Sequence, residues 1–214
     1  MDIAIVAFDG ITALDAVGPY EVLSQLPGAR VRFVATEAGP KRDHGAFALL
    51  AEHALDDVPR PDVVVVPGGK GASAAMEDEA LLDWLREAHR HSSWTTSVCT
   101  GSLILGAAGL LRGLQATTHW LVLDQLAELG AEPTSERVVE QGKIMTAAGV
   151  SSGIDMALVL AERLAGTEIA QAVQLSIEYD PEPPFDAGSP EKAPAHVLER
   201  VRGPMRRQPS KARR

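Results

Sequence analysis

Asp62-Val63-Val64-Val65-Val66-Pro67-Gly68-Gly69 decides the fold. Four consecutive valines leave no polar face, so their strand needs cover on both sides, as strands of a parallel sheet have. Pro-Gly-Gly ends it sharply. Toward the N-terminus, the continuous apolar run 3–8 reads as a second strand of this kind. Asp9-Gly10 then turns the chain into a helix whose start is marked by Asp15 and Gly18-Pro19, since proline is tolerated in a first helical turn. Residues 31–34 form another strand, and 47–50, next to Gly45, a small hairpin or edge strand. Toward the C-terminus, 81–91 is an amphipathic helix. The strand 95–98 runs into Cys99-Thr100-Gly101-Ser102, and an apolar helix follows over 103–111. Helices are also expected over 120–129, stopping at Gly130, over 151–164, capped by Ser151 or Ser152, and over 169–177. A hairpin joins 137–139 to 143–146. Strands alternating with helices predict an α/β fold with a mostly parallel, doubly covered sheet. One domain over 1–199 is expected. Within it, Asp180-Pro181-Glu182-Pro183-Pro184-Phe185 opens an extended arm over 180–199, and a flexible basic tail follows over 200–214.

The chain has 214 residues, of which 45% are hydrophobic and 23% charged, enough for one substantial core. Its net charge is −9, but the last 15 residues hold seven basic side chains and no acid. An acidic body disfavours the phosphate backbone of nucleic acid, and the basic end reads as a frayed terminus. The single cysteine, Cys99, excludes an intrachain disulfide and a thiolate zinc cluster. No basic region precedes the first strand, which argues against a secretory signal. No uncharged run reaches the ~18 residues of a membrane span. A cytoplasmic protein that engages neither membrane nor nucleic acid is expected.

Cys99 falls between a buried strand and a helix, at the end of a sheet where open α/β folds bind ligands. A thiol at a helix N-terminus meets the positive end of the macrodipole, which favours the nucleophilic thiolate. Small neighbours permit a tight strand–turn–helix elbow. A buried cysteine acting as a small hydrophobe is the competing reading. Gly68 and Gly69 end the neighbouring strand, where backbone amides can approach a developing anion. Alone, that motif is also an ordinary turn. Asp15 and Glu21, after the first strand, are acids able to move a proton. On residue pattern alone, Asp15 reads as a helix cap and Glu21 as solvent-facing. His119 reads first as structural, with a base for Cys99 as the alternative. No phosphate-binding glycine loop and no metal-ligand spacing occurs.

These segments, in this order, resemble the DJ-1/PfpI superfamily across roughly residues 3–200, and within it the bacterial isocyanide (isonitrile) hydratase branch. The carrying stretches are Leu14-Asp15-Ala16-Val17-Gly18-Pro19 with Glu21-Val22-Leu23, Pro67-Gly68-Gly69-Lys70-Gly71, and Thr96-Ser97-Val98-Cys99-Thr100-Gly101-Ser102-Leu103. Ala116-Thr117-Thr118-His119-Trp120 and Glu178-Tyr179 with Pro183-Pro184-Phe185-Asp186-Ala187-Gly188-Ser189-Pro190 complete the set. The resemblance implies a flavodoxin-like three-layer sandwich, similar to class I glutamine amidotransferases, a homodimer, and no cofactor or metal. It implies Cys99 as nucleophile, Asp15 as partner acid, and Thr100 as a residue that shapes and hydrogen-bonds the site. Gly68, Gly69 and Gly101 would line an oxyanion and substrate wall, with Glu21 and His119 in support. The implied substrate is a small organic isocyanide, hydrated to an N-substituted formamide by a lyase reaction.

Departures from other branches sharpen this. Peptidase members place a histidine directly after the cysteine, where Thr100 stands here. Amidotransferases use a later His-x-Glu pair, whereas Trp120 and Leu121 follow His119. Members resembling DJ-1 itself use a glutamate in the first helix region. The contrasting readings are a small-molecule sensor like the N-terminal domain of AraC-type regulators and an oxidation sensor. Only 15 residues follow Glu199, too few for the regulators' helix-turn-helix unit.

Overall fold

The computed structural model describes residues 1–203. The remainder of the basic tail expected over 200–214 lies outside the described residues. Contacts divide the chain into two units, Met1–Glu178 and the part from Tyr179 onward, so the arm expected from residue 180 falls in the second.

The first unit begins with β1 (Asp2–Val6), α1 (Ala13–Leu23) and β2 (Arg30–Ala35). β3 (Gly39–Arg42) and β4 (Ala48–Ala51) form the expected small hairpin, and β5 (His53–Ala54) is a short edge strand. Next come β6 (Val63–Val66), α2 (Ala72–Ala75), α3 (Glu79–His91), β7 (Trp94–Val98) and α4 (Gly101–Ala107). β8 (Gln115–Ala116) and β9 (Glu132–Pro133) pair across α5 (Leu123–Glu128). β10 (Val138–Gln141), β11 (Ile144–Ala147), α6 (Ser152–Ala165) and α7 (Thr167–Ser176) complete it. In the second unit, the stretch expected to be extended ends in a helix, α8 (Ala195–Arg202).

The main sheet has the order β10-β11-β7-β6-β1-β2-β5, parallel throughout except for β10 against β11. β6 lies near its centre, with Val65 beside Ile5 on one side and Thr96 on the other. Its valines alternate between layers. Val63 and Val65 join Ile3, Ile5 and the buried faces of α1, α6 and α7. Val64 and Val66 join Leu85, Ile104, Leu105 and Leu126 on the opposite side. Each fully buried valine contributes roughly 1.5–3 kcal/mol relative to exposure, which is why an unbroken valine run specifies an interior strand.

Several boundaries differ from the sequence reading. Pro19 sits inside α1 rather than in its first turn. The neighbouring glycine explains the tolerance: a Cβ at Gly18 would lie 3.0 Å from Ile154 Cγ1, so α1 and α6 meet here at close range and packing offsets the missing proline N–H. α4 stops at Ala107 instead of 111, because Gly109 follows with φ +80° and unwinds the helix. Ser151 makes no capping bond to α6, and Ser152 Oγ donates to the Gly149 carbonyl instead of capping. Residues 120–122 form a single 3₁₀ turn leading into α5. Among the described residues, no helix is long and apolar enough to cross a membrane.

Candidate active site

The site is built where β1, β6 and β7 end together. β7 stops at Val98, and Cys99 takes the left-handed conformation with φ +58°. A non-glycine residue there costs about 1–2 kcal/mol and persists only when its surroundings over-determine it. Here they do. The Cys99 N–H is shared between the carbonyls of Ala147 (3.1 Å) and Ala148 (2.8 Å) at the end of β11. Its carbonyl accepts the hydroxyls of Thr118 (2.9 Å) and Ser102 (3.1 Å). Val98 and Cys99 would face opposite sides of a continued strand, yet both pack in the α1–α6 layer. The left-handed step therefore swings the thiol toward α1.

Asp15 waits on that side. It lies in the first turn of α1 on the helix's buried face, with no solvent exposure. Oδ2 accepts the Gly68 N–H at 3.0 Å. Burial pushes its carboxyl up to about 7, opposed by the Gly68 hydrogen bond and by the Cys99 thiol beside it. The thiol is the polar neighbour the carboxyl feels, yet Oδ1 makes no well-formed hydrogen bond. An acid with one oxygen anchored and the other unengaged next to a thiol is placed for proton transfer rather than for capping.

The thiol's ionisation runs against the expectation from the helix terminus. Burial first, and the charge of Asp15 second, push Cys99 up to about 12. The amides of Val150 and Thr100, and the Thr100 hydroxyl, act in the opposite sense but lose. A seven-residue helix and a few amides do not outweigh removal of a thiolate from water. Cys99 keeps 5% of its exposure, so a small molecule meets a neutral thiol at a nearly closed site.

The glycines hold this arrangement from behind. The Gly68 amide is engaged by Asp15, and the Gly69 amide donates to Thr100 Oγ1 at 2.8 Å. The Gly68 carbonyl accepts the Thr12 N–H at 2.8 Å, tying the β6 turn to the start of α1. The Gly68 and Gly69 amides, expected to line an anion-stabilising wall, are both hydrogen-bonded within the protein. Thr100 Oγ1 also donates to the Gly69 carbonyl at 3.2 Å, so it braces the elbow against the β6 turn. A Cβ on Gly68 would meet the Thr100 nitrogen at 2.5 Å, and one on Gly101 would run into the carbonyls of Val66 and Pro67. These two glycines are needed for close approach of two turns.

Two supporting expectations do not join the pair. Glu21 is exposed, six residues beyond Asp15 and roughly 120° round the helix from it. His119 Nδ1 accepts the Leu121 amide at 3.3 Å, its ring stacks on Trp120, and burial lowers its pKa. A Cβ on Gly149 would lie 2.9 Å from its Cδ2, so the ring packs on the loop that carries Val150. Sequence reading missed Val150, Thr118 and Ser102 as contacts of Cys99. A backbone amide leaves no trace in residue type, whereas the Thr117-Thr118 pair before His119 was a usable signal. Among the described residues no group of His, Cys, Asp and Glu side chains is gathered to hold a metal ion.

Comparison with known proteins places the chain in one family. Residues 1–163 match the DJ-1/PfpI family model. The chain is 46% identical over 202 residues to an isonitrile hydratase of Pseudomonas putida, covering 94% of this chain and 89% of that protein. A solved THiJ/PfpI family protein from Pseudomonas syringae superposes with a TM-score of 0.93 at 39% identity, covering 96% of this chain and 86% of the other. A helix-turn-helix transcriptional regulator of Pseudomonas aeruginosa, CdhR, is 29% identical over 170 residues, spanning 78% of this chain and 50% of the regulator.

Proposed function

The chain belongs to the DJ-1/PfpI family, and from that premise we propose that it is a cysteine-dependent isocyanide hydratase. The observation that carries this reading is the buried Asp15 carboxyl, raised to about 7, beside the Cys99 thiol. The extended similarity to an isonitrile hydratase supports it. A nearly closed site holding a neutral thiol suits an uncharged reactant such as R–N≡C better than an anion.

Above pH 7 the pair carries one proton, held on sulfur, with Asp15 as carboxylate. Asp15 takes the thiol proton as sulfur bonds to the terminal isocyanide carbon, and it returns that proton to the same carbon. The product is a thioimidate, R–N=CH–S, on Cys99. A water molecule then loses a proton to Asp15 and adds to the carbon, while the nitrogen gains a proton. The C–S bond breaks, R–NH–CHO leaves, and the last proton returns to sulfur. The balance needs only isocyanide and water. Thr100, Gly68, Gly69 and Gly101 hold the two turns in place, and His119 packs the Val150 loop. A homodimer is part of this proposal.

The similarity to a regulator makes ligand sensing the second reading. Incubation with an alkyl isocyanide separates the two. A hydratase releases the N-alkyl formamide over many turnovers, whereas a sensor binds the isocyanide and releases none; no formamide at any pH between 6 and 9 rejects the hydratase reading. An oxidant sensor needs a ready thiolate, which the upward shift of Cys99 opposes.

A further inference from the structure

Cys99 O and Thr100 N–H belong to one peptide plane, and in a trans peptide they point in opposite directions. Whatever holds the oxygen therefore aims the amide. The first-turn backbone bond that would normally take this oxygen is long: Ser102 N lies 3.5 Å from it. Two buried hydroxyls take its place. Ser102 Oγ, wholly buried, donates at 3.1 Å, and Thr118 Oγ1, 2% exposed, donates at 2.9 Å. They come from different parts of the fold. Ser102 belongs to α4, while Thr118 belongs to the segment leading from β8 into residues 120–122. Both lone pairs of the carbonyl are thus used, and the plane is held from two sides. On the other edge of that plane, the Thr100 amide is among the groups that lower the thiol's pKa.

We propose that Thr118 and Ser102 are positioning residues for the nucleophile: by fixing the Cys99 carbonyl they aim the Thr100 amide at the sulfur and keep the thiol in its left-handed setting beside Asp15. Thr118 carries the larger share, because it ties the elbow to a separate segment, whereas Ser102 moves with α4 itself. Neither residue touches substrate. The inference rests on the proposed nucleophilic role of Cys99 but not on the identity of the electrophile.

The test uses the full-length protein and the rate of Cys99 alkylation by iodoacetamide as a function of pH, which is unambiguous because there is one cysteine. Loss of an amide bond to a developing thiolate corresponds to roughly a tenfold change. Thr118→Val is expected to slow alkylation about tenfold at pH 8 and move its pH midpoint upward, Thr118→Ser to restore the parent profile, and Ser102→Ala to slow it about threefold. An unchanged profile in folded Thr118→Val overturns the proposal. Should Thr118→Val fail to fold, Ser102→Ala and Thr118→Ser decide: an unaltered Ser102→Ala profile, or a Thr118→Ser profile slowed about tenfold, overturns it equally. Isocyanide turnover is measured in parallel. Altered alkylation without parent turnover leaves the clamp standing and removes the hydratase reading, and normal alkylation with formamide release does the reverse.

Discussion

β6 and β7 run side by side, with Val66 opposite Ser97, and each ends in a turn with positive φ. At the end of β6 that conformation belongs to Gly69, at +138°; at the end of β7 it belongs to Cys99, at +58°. Glycine adopts it without a steric penalty, and cysteine does not. The difference follows from what each turn supplies. The β6 turn supplies backbone: one amide for Asp15 and one for Thr100. The β7 turn supplies a side chain, so glycine is ruled out and the strain is held by five hydrogen bonds to the Cys99 backbone, the longest from Ser102 N.

The largest test of this contrast is Gly69→Ala. Its Cβ would be driven into the Gly10 carbonyl, 2.5 Å from Thr12 N, with φ in a region alanine avoids. A loss of more than about 3 kcal/mol in urea unfolding is expected; a loss below about 1 kcal/mol would mean that the β6 turn is not glycine-dependent.

Asp15→Asn comes next, and its effects depend on pH. The folded carboxyl titrates near 7 against an ordinary value of 3.8, so between these values the native state binds the extra proton. Asp15 therefore lowers stability progressively as pH rises from about 4 to about 7, and its cost is fully present above that. The asparagine variant should be more stable than the parent at pH 8, by roughly 4 kcal/mol at most, with the gap closing by pH 4. Its hydration rate should fall about a hundredfold and lose the acid limb near pH 7 that is expected of the parent. Equal stability at both pH values would contradict the raised carboxyl.

A smaller effect separates strain from chemistry. Cys99→Gly and Cys99→Ala should both be inactive, but the glycine variant should be the more stable by about 1 kcal/mol, because only alanine retains the left-handed penalty. The reverse order in denaturation midpoints would remove the strain argument. Smallest of all, Glu21→Gln should change stability by no more than about 0.5 kcal/mol and leave turnover within about twofold, since the side chain is exposed and turned away from the pair.

Much of this was legible in the residues. The valine run of β6 fixed an interior parallel strand, and the Cys-Thr-Gly-Ser stretch after β7 marked the elbow. Asp15 was a candidate but read as a cap, because burial of a helix's first turn depends on α6 packing across Gly18, which no local pattern reveals. The partners of the Gly68 and Gly69 amides were hidden for a related reason. Glycine type reports that an amide can approach something, not what it approaches. The direction of the thiol's ionisation was read from the helix terminus alone, whereas burial, a property of the assembled layers, decides it. Val150 acts through its backbone and is invisible to residue type.

The central claim is that one sulfur atom carries the isocyanide through hydration. The direct measurement is formamide release from an alkyl isocyanide by Cys99→Ala beside the parent, with circular dichroism showing both folded. Loss of at least about a thousandfold is expected for a nucleophile, and a variant that retains a tenth or more of the parent rate would contradict the account.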